Sequence, residues 1–283
     1  MDIYSRNGLR HILKKYNLFL TSSRGQNYLI DKSIAETISE FVLSNVDYNV
    51  KVIEVGSGIG SLTVPLARRF NNVISIEIDR GVFACLNDVI DYYQLGSRVN
   101  TVNADFLKIK PSDLVGEGEE AVFVSNLPYS LGGEIIRVVT YEYNIKDLFV
   151  MVQKEFFERL IAREGEKNYS FLSVVSQLNY SFIRKVFDVS RNFFFPVPSV
   201  DSVFIHLRKK ENIVDKRIVD LIKKLFSSRR KNILNSICLS TGLDKHIIVD
   251  MINSVELDIK SRVENLNPTA ILELVRMIIS YTR

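Results

Sequence analysis

The 283-residue sequence is poor in the residues that bind metals or form disulfide bonds, with two cysteines and three histidines. Cys85 and Cys238 lie far apart, and His11, His206 and His246 are scattered, so neither set has the spacing of a metal site. We therefore predict no metal and two reduced, buried thiols, as is usual for a cytoplasmic protein.

Long apolar runs are also missing. No stretch approaches the roughly 20 residues that a membrane-spanning helix needs. The first 24 residues are basic and lack the apolar core and cleavage site of a signal peptide. There is no internal repeat, while apolar residues make up 46% of the chain, enough for a packed core. These features predict a globular cytoplasmic protein without membrane association.

The net charge of +4 is small, but its distribution is uneven. Residues 207–231 contain ten Lys or Arg against three Asp or Glu, which gives that segment a charge of +7. Residues 1–24 contribute +4, so the remainder carries −7. Two basic zones at opposite ends of a chain are typical of a nucleic-acid-binding protein. A solvated helix face gives the same pattern, so that alternative stays open.

Apolar strands alternate with helical patterns through the first two thirds of the chain. Strands are predicted at 50–56, 73–79, 99–105, 121–126, 147–153, 184–190 and 201–209, and helices at 33–46, 61–70, 80–94, 134–142, 154–162 and 171–182. This alternation predicts an α/β fold with a doubly wound, mostly parallel seven-stranded sheet. The last two strands lack a crossover helix between them, which favours an antiparallel hairpin at the sheet edge. Only helical patterns occur from residue 212 onward, which predicts a small C-terminal all-α domain.

The segment "VIEVGSGIGSLT" (52–63) places Gly56, Gly58 and Gly60 directly after the first strand. Ligands of such sheets bind beyond the carboxyl ends of the strands, where glycine lets the backbone approach closely. The dinucleotide signature would have a further glycine where this chain has Ser61. The alternative to a ligand-binding loop is a tight turn that binds nothing.

Carboxylates end the next two strands. Glu77 lies about 20 residues beyond the glycines, where a carboxylate can accept hydrogen bonds from ribose hydroxyls. Asp105 can accept from the exocyclic amine of an adenine, with Phe106 packed near the ring. The pattern suits NAD or S-adenosylmethionine (SAM) equally, and helix capping by Glu77 and Asp105 is the alternative.

The fourth strand ends in Asn126-Leu127-Pro128-Tyr129. The lone pair of an adenine N6 is delocalised into the ring, so acceptors that hold both amine hydrogens favour attack on a methyl donor. The Asn126 side-chain oxygen and the Leu127 carbonyl are such acceptors, Pro128 restricts Leu127, and Tyr129 offers a stacking surface. A second aromatic cluster, "NFFFPVPSVDS" (192–202), contains a phenylalanine for the other face of the base. The alternative for Asn126–Tyr129 is a β-turn on a surface loop. The alternative for the aromatic cluster is a hydrophobic plug between domains.

Eight segments together resemble the small-subunit ribosomal RNA adenine N6-dimethyltransferases, the kasugamycin-sensitivity methylases, which are related to the erythromycin-resistance rRNA methylases. The segments are "GQNYLID" (25–31), "VIEVGSGIGSLT" (52–63), "EID" (77–79), "NADFL" (103–107), "NLPY" (126–129), "MVQKEFFERLIA" (151–162), "FFPVPSVDS" (194–202) and "SSRRKNILNSI" (227–237). The resemblance spans nearly the whole chain and implies a class I SAM-dependent methyltransferase fold.

The resemblance also implies a reaction and its residues. The expected product is N6,N6-dimethyladenosine at two adjacent adenosines in a hairpin loop near the 3′ end of 16S rRNA, made by a cytoplasmic monomer acting on the immature 30S subunit. The implied catalytic residues are Asn126, Leu127, Pro128, Tyr129 and Phe194. The implied cofactor contacts are Gln26, Asn27, Leu29, Gly56, Gly58, Glu77, Ile78, Asp105, Phe106 and Asn126. The implied RNA contacts are Arg208, Lys223, Lys224, Arg229, Arg230 and Lys231. Residues 1–210 then form a SAM-binding catalytic domain and residues 211–283 a helical RNA-binding domain.

The sequence departs from the family at two places. The family usually has proline where this chain has Ser57, and often a polar stretch where this chain has Ser130-Leu131-Gly132-Gly133. Three other functions remain as alternatives: a 23S rRNA methylase of the resistance branch, a non-catalytic ribosome-assembly or transcription factor, and a nicotinamide-dependent oxidoreductase. Ser61 and the lack of a His or Lys suited to hydride transfer count against the last.

Overall fold

The computed structural model describes residues 1–18 and 27–282 of the chain. Gln26 lies outside the described residues, as does Gly25 of the first family segment. The strands are β1 (Tyr28–Leu29), β2 (Lys51–Val55), β3 (Val73–Glu77), β4 (Val99–Asn103), β5 (Ala121–Asn126), β6 (Asp147–Gln153), β7 (Tyr180–Val189), β8 (Phe194–Phe195) and β9 (Ser202–Lys209).

Seven of the strands form one sheet in the order β4-β3-β2-β5-β6-β9-β7. The first five strands in this order are parallel to each other, whereas β9 pairs antiparallel with β6. Strand β7 lies at the edge, antiparallel to β9. The predicted doubly wound sheet with an antiparallel edge is confirmed, and its order is that of class I methyltransferases.

Continuous apolar sequence forms the central strands because helices cover both faces of a doubly wound sheet. All five residues of β3 are buried, as are six of the seven residues of β6. Each fully buried Val, Leu, Ile or Phe side chain contributes ~1.5–3 kcal/mol relative to an exposed one. The buried strand interiors thus stabilise the sheet whose strand ends carry polar residues.

The helices follow the periodic segments closely. They are α1 (Arg6–Lys15), α2 (Lys32–Leu43), α3 (Thr63–Arg69), α4 (Arg80–Tyr92), α5 (Gly132–Glu142), α6 (Lys154–Ile161), α7 (Phe171–Asn179), α8 (Lys216–Ser227), α9 (Ile233–Thr241), α10 (Lys245–Ser254) and α11 (Pro268–Tyr281). Asp31 caps α2, since its Oδ1 accepts from the Ile34 N–H at 2.9 Å.

The prediction of a helix over 171–182 is wrong in its last three residues, which begin β7. Asn179, the last residue of α7, is buried, and its backbone carbonyl accepts from the Lys210 N–H at 2.8 Å. Its side-chain Oδ1 accepts from the Val214 N–H at 2.9 Å. These bonds join Asn179 to residues about 30 positions later in the chain. The periodicity of the local sequence therefore does not reveal that the helix ends there. The two-stranded sheet of β1 and β8 is a further element that the sequence analysis does not predict.

The chain consists of two compact units. The first contains residues 1–154 and 184–208, and the second contains residues 155–183 and 209–283. The second unit thus includes α6 and α7, which the predicted boundary at residue 210 does not anticipate. Within it, the buried Tyr169 hydroxyl donates to the Leu266 carbonyl at 2.7 Å.

Two smaller findings concern the thiols and the helices. Cys85 is buried as predicted, whereas Cys238 is only half-buried, and both are free. Across residues 1–18 and 27–282, none of the helices has the length and apolar character required to cross a bilayer.

Candidate active site

A cavity of about 560 Å³ lies beyond the carboxyl ends of β2, β3 and β5, within the first unit. Its volume lies in the range typical of small-molecule and cofactor sites. Ten of the predicted cofactor and catalytic residues line it: Asn27, Leu29, Gly56, Gly58, Glu77, Ile78, Asn126, Leu127, Pro128 and Tyr129. Residues distant in sequence thus meet at one edge of the sheet.

The glycine loop after β2 adopts backbone conformations that favour glycine. Gly56 has φ +69° and Gly58 has φ +56°, both in the left-handed region. A β-carbon at position 58 would lie 3.1 Å from the Tyr28 ring, and one at position 56 would lie 3.9 Å from the Asn126 carbonyl oxygen. The missing side chains therefore leave room for a ligand between the loop and the end of β5.

Ser57, at the position of the usual family proline, adds a backbone bond to this loop. The Ser57 N–H donates to the Ile76 carbonyl at 3.2 Å, beside the Gly56 N–H at 2.9 Å. Proline has no N–H and could not make this bond. The substitution thus ties the loop to β3 without removing a cavity-lining residue.

Glu77, at the end of β3, is one of the residues that line the cavity. Its Oε2 accepts from the Gly58 N–H and its Oε1 from the Asp79 N–H, both at 2.9 Å. Burial raises the pKa of Glu77, and these hydrogen bonds oppose the rise. Asp79, not Glu77, caps α4, so the capping alternative does not apply to Glu77.

Glu54 is a cavity-lining residue that the sequence analysis misses. Its carboxylate is almost completely buried, and Oε2 accepts from the Thr63 hydroxyl at 2.6 Å and the Ser75 hydroxyl at 2.9 Å. Burial raises the pKa of Glu54 to about 7. The signal in the sequence is a single acid within an otherwise apolar strand interior, which is costly unless it is hydrogen-bonded.

Asn126 has its side-chain orientation fixed by a backbone contact. Its Nδ2 donates to the Asn27 carbonyl at 3.1 Å. Because that carbonyl only accepts, the amide nitrogen must face it, which directs Oδ1 elsewhere. Among the described residues, Oδ1 of Asn126 receives no hydrogen bond.

The carbonyls of the next two residues differ in their engagement. The Pro128 carbonyl accepts from the Leu131 and Gly132 N–H groups at 3.0 and 2.9 Å, forming the turn into α5. Within the part of the chain that is described, the Leu127 carbonyl accepts no hydrogen bond. Two acceptors, Asn126 Oδ1 and the Leu127 carbonyl, are thus available on consecutive residues of a cavity wall.

The Tyr129 ring lines the cavity and is held at its far end. Its hydroxyl lies 2.9 Å from the Ser202 Oγ, at the start of β9. Burial raises the pKa of Tyr129, so the phenol stays neutral at physiological pH. A neutral aromatic face suits stacking of an uncharged base.

Three predicted residues are not brought to the cavity. Asp105 caps a short 3₁₀ turn, with its Oδ1 accepting from the Leu107 N–H at 3.1 Å. Phe106 is buried and stacks on Tyr143 at 5.3 Å between ring centroids. Phe194 is fully buried in the core, opposite Leu29 in the β1–β8 pair. Among the described cavity-lining residues, none of these three is included.

The predicted RNA contacts differ in how their charges are engaged. Arg208, in the first unit, pairs with the Asp147 carboxylate through Nε and Nη2 at 2.9 and 3.2 Å. In the second unit, Arg229 lies 3.8 Å from Glu264. The remaining four are exposed and, among the described residues, form no ion pair: Lys223, Lys224, Arg230 and Lys231.

Comparison with known proteins identifies the family. Residues 19–280 match the family described as ribosomal RNA adenine dimethylase. Ribosomal RNA small subunit methyltransferase A of Thermotoga neapolitana is 39% identical over 227 residues, covering 80% of this chain and 82% of that protein. The protein of the same name from Bacillus cytotoxicus is 32% identical over 281 residues, or 94% of each chain.

A solved structure shares the fold. The crystal structure of a dimethyladenosine transferase from Plasmodium falciparum has a TM-score of 0.72 and 24% identity, covering 88% of this chain and 96% of that one. The family match spans most of the chain, and the cavity lies where the glycine loop and the Asn126–Tyr129 segment meet. This chain belongs to the ribosomal RNA adenine dimethylase family of SAM-dependent methyltransferases.

Proposed function

We propose that the chain dimethylates N6 of two adjacent adenosines in a hairpin loop near the 3′ end of 16S rRNA, acting as a monomer on the immature small subunit. The observation that carries this proposal is a pair of available acceptors, Asn126 Oδ1 and the Leu127 carbonyl, on residues that line the same cavity as the glycine loop. Relatives named as small-subunit methyltransferases support the choice of RNA. In a bacterium, this substrate is assembled in the cytoplasm.

The proposed chemistry at N6 depends on positioning. An adenine amine is a weak nucleophile because its lone pair is delocalised. Two acceptors, each of which accepts a hydrogen bond from one amine hydrogen, draw the nitrogen towards a tetrahedral shape. The lone pair is then less delocalised and available for attack. Asn126 is too weak a base to remove a proton, so its role is orientation and stabilisation of charge in the transition state. Alignment of the reactants can lower the activation barrier by roughly 7–11 kcal/mol.

The target base must leave its stack to enter the cavity, and Tyr129 compensates part of that cost. Base–aromatic stacking contributes ~1–3 kcal/mol per base. The hydrogen bond between the hydroxyls of Tyr129 and Ser202, at 2.9 Å, holds the ring in one orientation. We assign the stacking surface on one side of the base to Tyr129, while Phe194 would need a rearrangement of β8 to provide the other.

The cavity residues also fit the donor. Gly56 and Gly58 carry no side chains, so the backbone can approach a ligand closely at these two positions, and Glu77 offers carboxylate lone pairs for ribose hydroxyls. Bound SAM supplies the electrophilic methyl group. We assign its nucleoside to the wall formed by Glu77 and Ile78, with Asp105 and Phe106 at the end of the neighbouring strand as the further predicted adenine contacts.

The helical residues 211–283 are proposed to bind the RNA backbone through the four exposed cations on and after α8. Exposed Lys and Arg bind phosphates by displacing counterions, which makes affinity salt-dependent. This role is independent of the chemistry in the cavity.

The test supplies purified small or large ribosomal subunits that lack the modification, together with SAM labelled in its methyl group. We expect label in small-subunit RNA only, at N6 of adenosine, and almost none with Asn126→Ala. Label confined to large subunits would instead support a resistance-type methylase. Binding of small subunits without methyl transfer would support a non-catalytic assembly factor.

A further inference from the structure

The first helix carries a line of positive charge that the proposed reaction does not use. Arg6, Arg10 and Lys14 are exposed and follow each other at intervals of four residues along α1. Four helical residues rise about 6 Å, so the three cations lie along one side of the helix over about 12 Å. We call these three residues the basic stripe.

The stripe is unfavourable for the helix itself. Like charges four residues apart repel each other, and a cation such as Arg6 in the first turn opposes the helix dipole. The first turn contains no acidic residue to offset it. Among the described residues, no Asp or Glu forms an ion pair with any member of the stripe. Such an arrangement is stabilised when an external anion lies against it.

Lys15 on the same helix shows the contrast. Its ammonium lies 3.2 Å from the Asp88 carboxylate, so its charge is already paired within the protein. Arg10, by comparison, lies 5.5 Å above the ring of Phe195, a contact that orients the guanidinium and leaves its charge available. Among the described residues, the helix therefore contains one cation paired with an acid, Lys15, and three that form no ion pair.

The helix packs beside the cavity. The Tyr4 hydroxyl, just before α1, donates to the carbonyl of Ser61, a cavity-lining residue, at 3.0 Å. Phe195 under Arg10 pairs with Tyr28, which also lines the cavity. Both contacts lie within the first unit, so the stripe and the cavity belong to one compact body.

We propose that the basic stripe binds the phosphate backbone of the RNA that flanks the adenosine in the cavity. This inference rests on the proposed function, because an extruded adenosine brings its neighbouring phosphates to the cavity rim. A membrane surface is a poorer match, since the apolar residues of α1 (Leu9, Ile12 and Leu13) are buried in the protein core and none is available for lipid.

The test uses the full chain with Arg6→Gln, Arg10→Gln and Lys14→Gln combined. Affinity for unmethylated small ribosomal subunits is measured over a series of KCl concentrations. We expect the slope of log affinity against log salt to fall by about 2, since each lost phosphate contact on a single strand removes about 0.7. Lys15→Gln on the same helix should leave the slope unchanged, and a triple variant with Arg6→Lys, Arg10→Lys and Lys14→Arg should restore it.

Folding and function are checked separately. Calorimetric SAM affinity should match that of the wild type, since no stripe residue lines the cavity. The melting temperature should not fall, since the removed charges repel each other along the helix. The single change Lys14→Gln should lower the slope by about 0.7. A triple glutamine variant with wild-type affinity and slope would overturn the inference, as would binding of anionic lipid vesicles through the stripe while RNA affinity stays constant. Failure of the wild type to methylate small subunits would instead contradict the proposed function.

Discussion

Replacing Glu54 by glutamine removes a buried carboxyl whose titration lies near physiological pH. Burial raises the pKa of Glu54 from 4.5 to about 7 in the folded protein. Between these values the folded state holds a proton that the unfolded state has released, so stability decreases as pH rises. At 1.36 kcal/mol per pKa unit, the full effect is about 3 kcal/mol. It is present below pH 4.5 and lost once the pH exceeds the folded pKa.

Glutamine stays neutral and keeps an oxygen for the hydroxyls of Thr63 and Ser75. Any cost of its extra N–H groups is nearly independent of pH and cancels when two pH values are compared. We therefore expect the stability of Glu54→Gln relative to wild type to increase by most of 3 kcal/mol between pH 5 and pH 8.

Urea unfolding followed by circular dichroism at both pH values measures this difference, and the ¹³C chemical shift of the Glu54 carboxyl reports its titration directly. The exposed Glu117→Gln is the matched control and should show no such change. A stability difference between Glu54→Gln and wild type that does not vary with pH would refute the reasoning.

Three further outcomes test the site, and a fourth tests the proposed RNA contacts of the helical residues. Asn126→Ala should reduce turnover at least 100-fold, a loss of about 3 kcal/mol of transition-state stabilisation, while calorimetry shows SAM binding only modestly weakened; unchanged turnover would exclude the acceptor role. Glu77→Ala should raise the SAM dissociation constant measured by calorimetry, and an unaltered constant would remove this carboxylate from the donor site. Gly58→Ala should weaken SAM binding and lower the melting temperature, because a left-handed residue with a β-carbon costs about 1–2 kcal/mol; a wild-type melting curve would contradict this. Arg230→Gln with Lys231→Gln should lower the salt slope of RNA affinity by about 1.5, and a constant slope would exclude these two phosphate contacts.

The sequence predicts the strand ends of the site well, because periodicity locates the parallel strands and topology brings their carboxyl ends together. Gly56, Glu77 and Asn126 line one cavity for this reason. The same reasoning does not distinguish Asp105 from the residues that line the cavity. Asp105 also follows a strand, but its side chain caps a 3₁₀ turn. Position at a strand end establishes proximity, whereas side-chain direction depends on local hydrogen bonds.

Features that depend on distant partners are not predictable in this way. Phe194 lies in an aromatic run that reads as a binding loop, yet pairing of β8 with β1 places it in the core. Likewise, α7 ends at Asn179, which accepts hydrogen bonds from the backbone N–H groups of Lys210 and Val214. In both cases residues far away in the sequence decide the outcome.

The contact between Asn126 and the Asn27 carbonyl also explains why an amide suits this position better than an acid. An amide has a donor end and an acceptor end, and the main-chain oxygen at residue 27 selects which end turns outward. Aspartate in its place would set a carboxylate oxygen against the Asn27 carbonyl oxygen, and the repulsion would turn the side chain away from that carbonyl. The orientation of the Asn126 amide is thus determined by a main-chain carbonyl that lies 99 residues earlier in the chain.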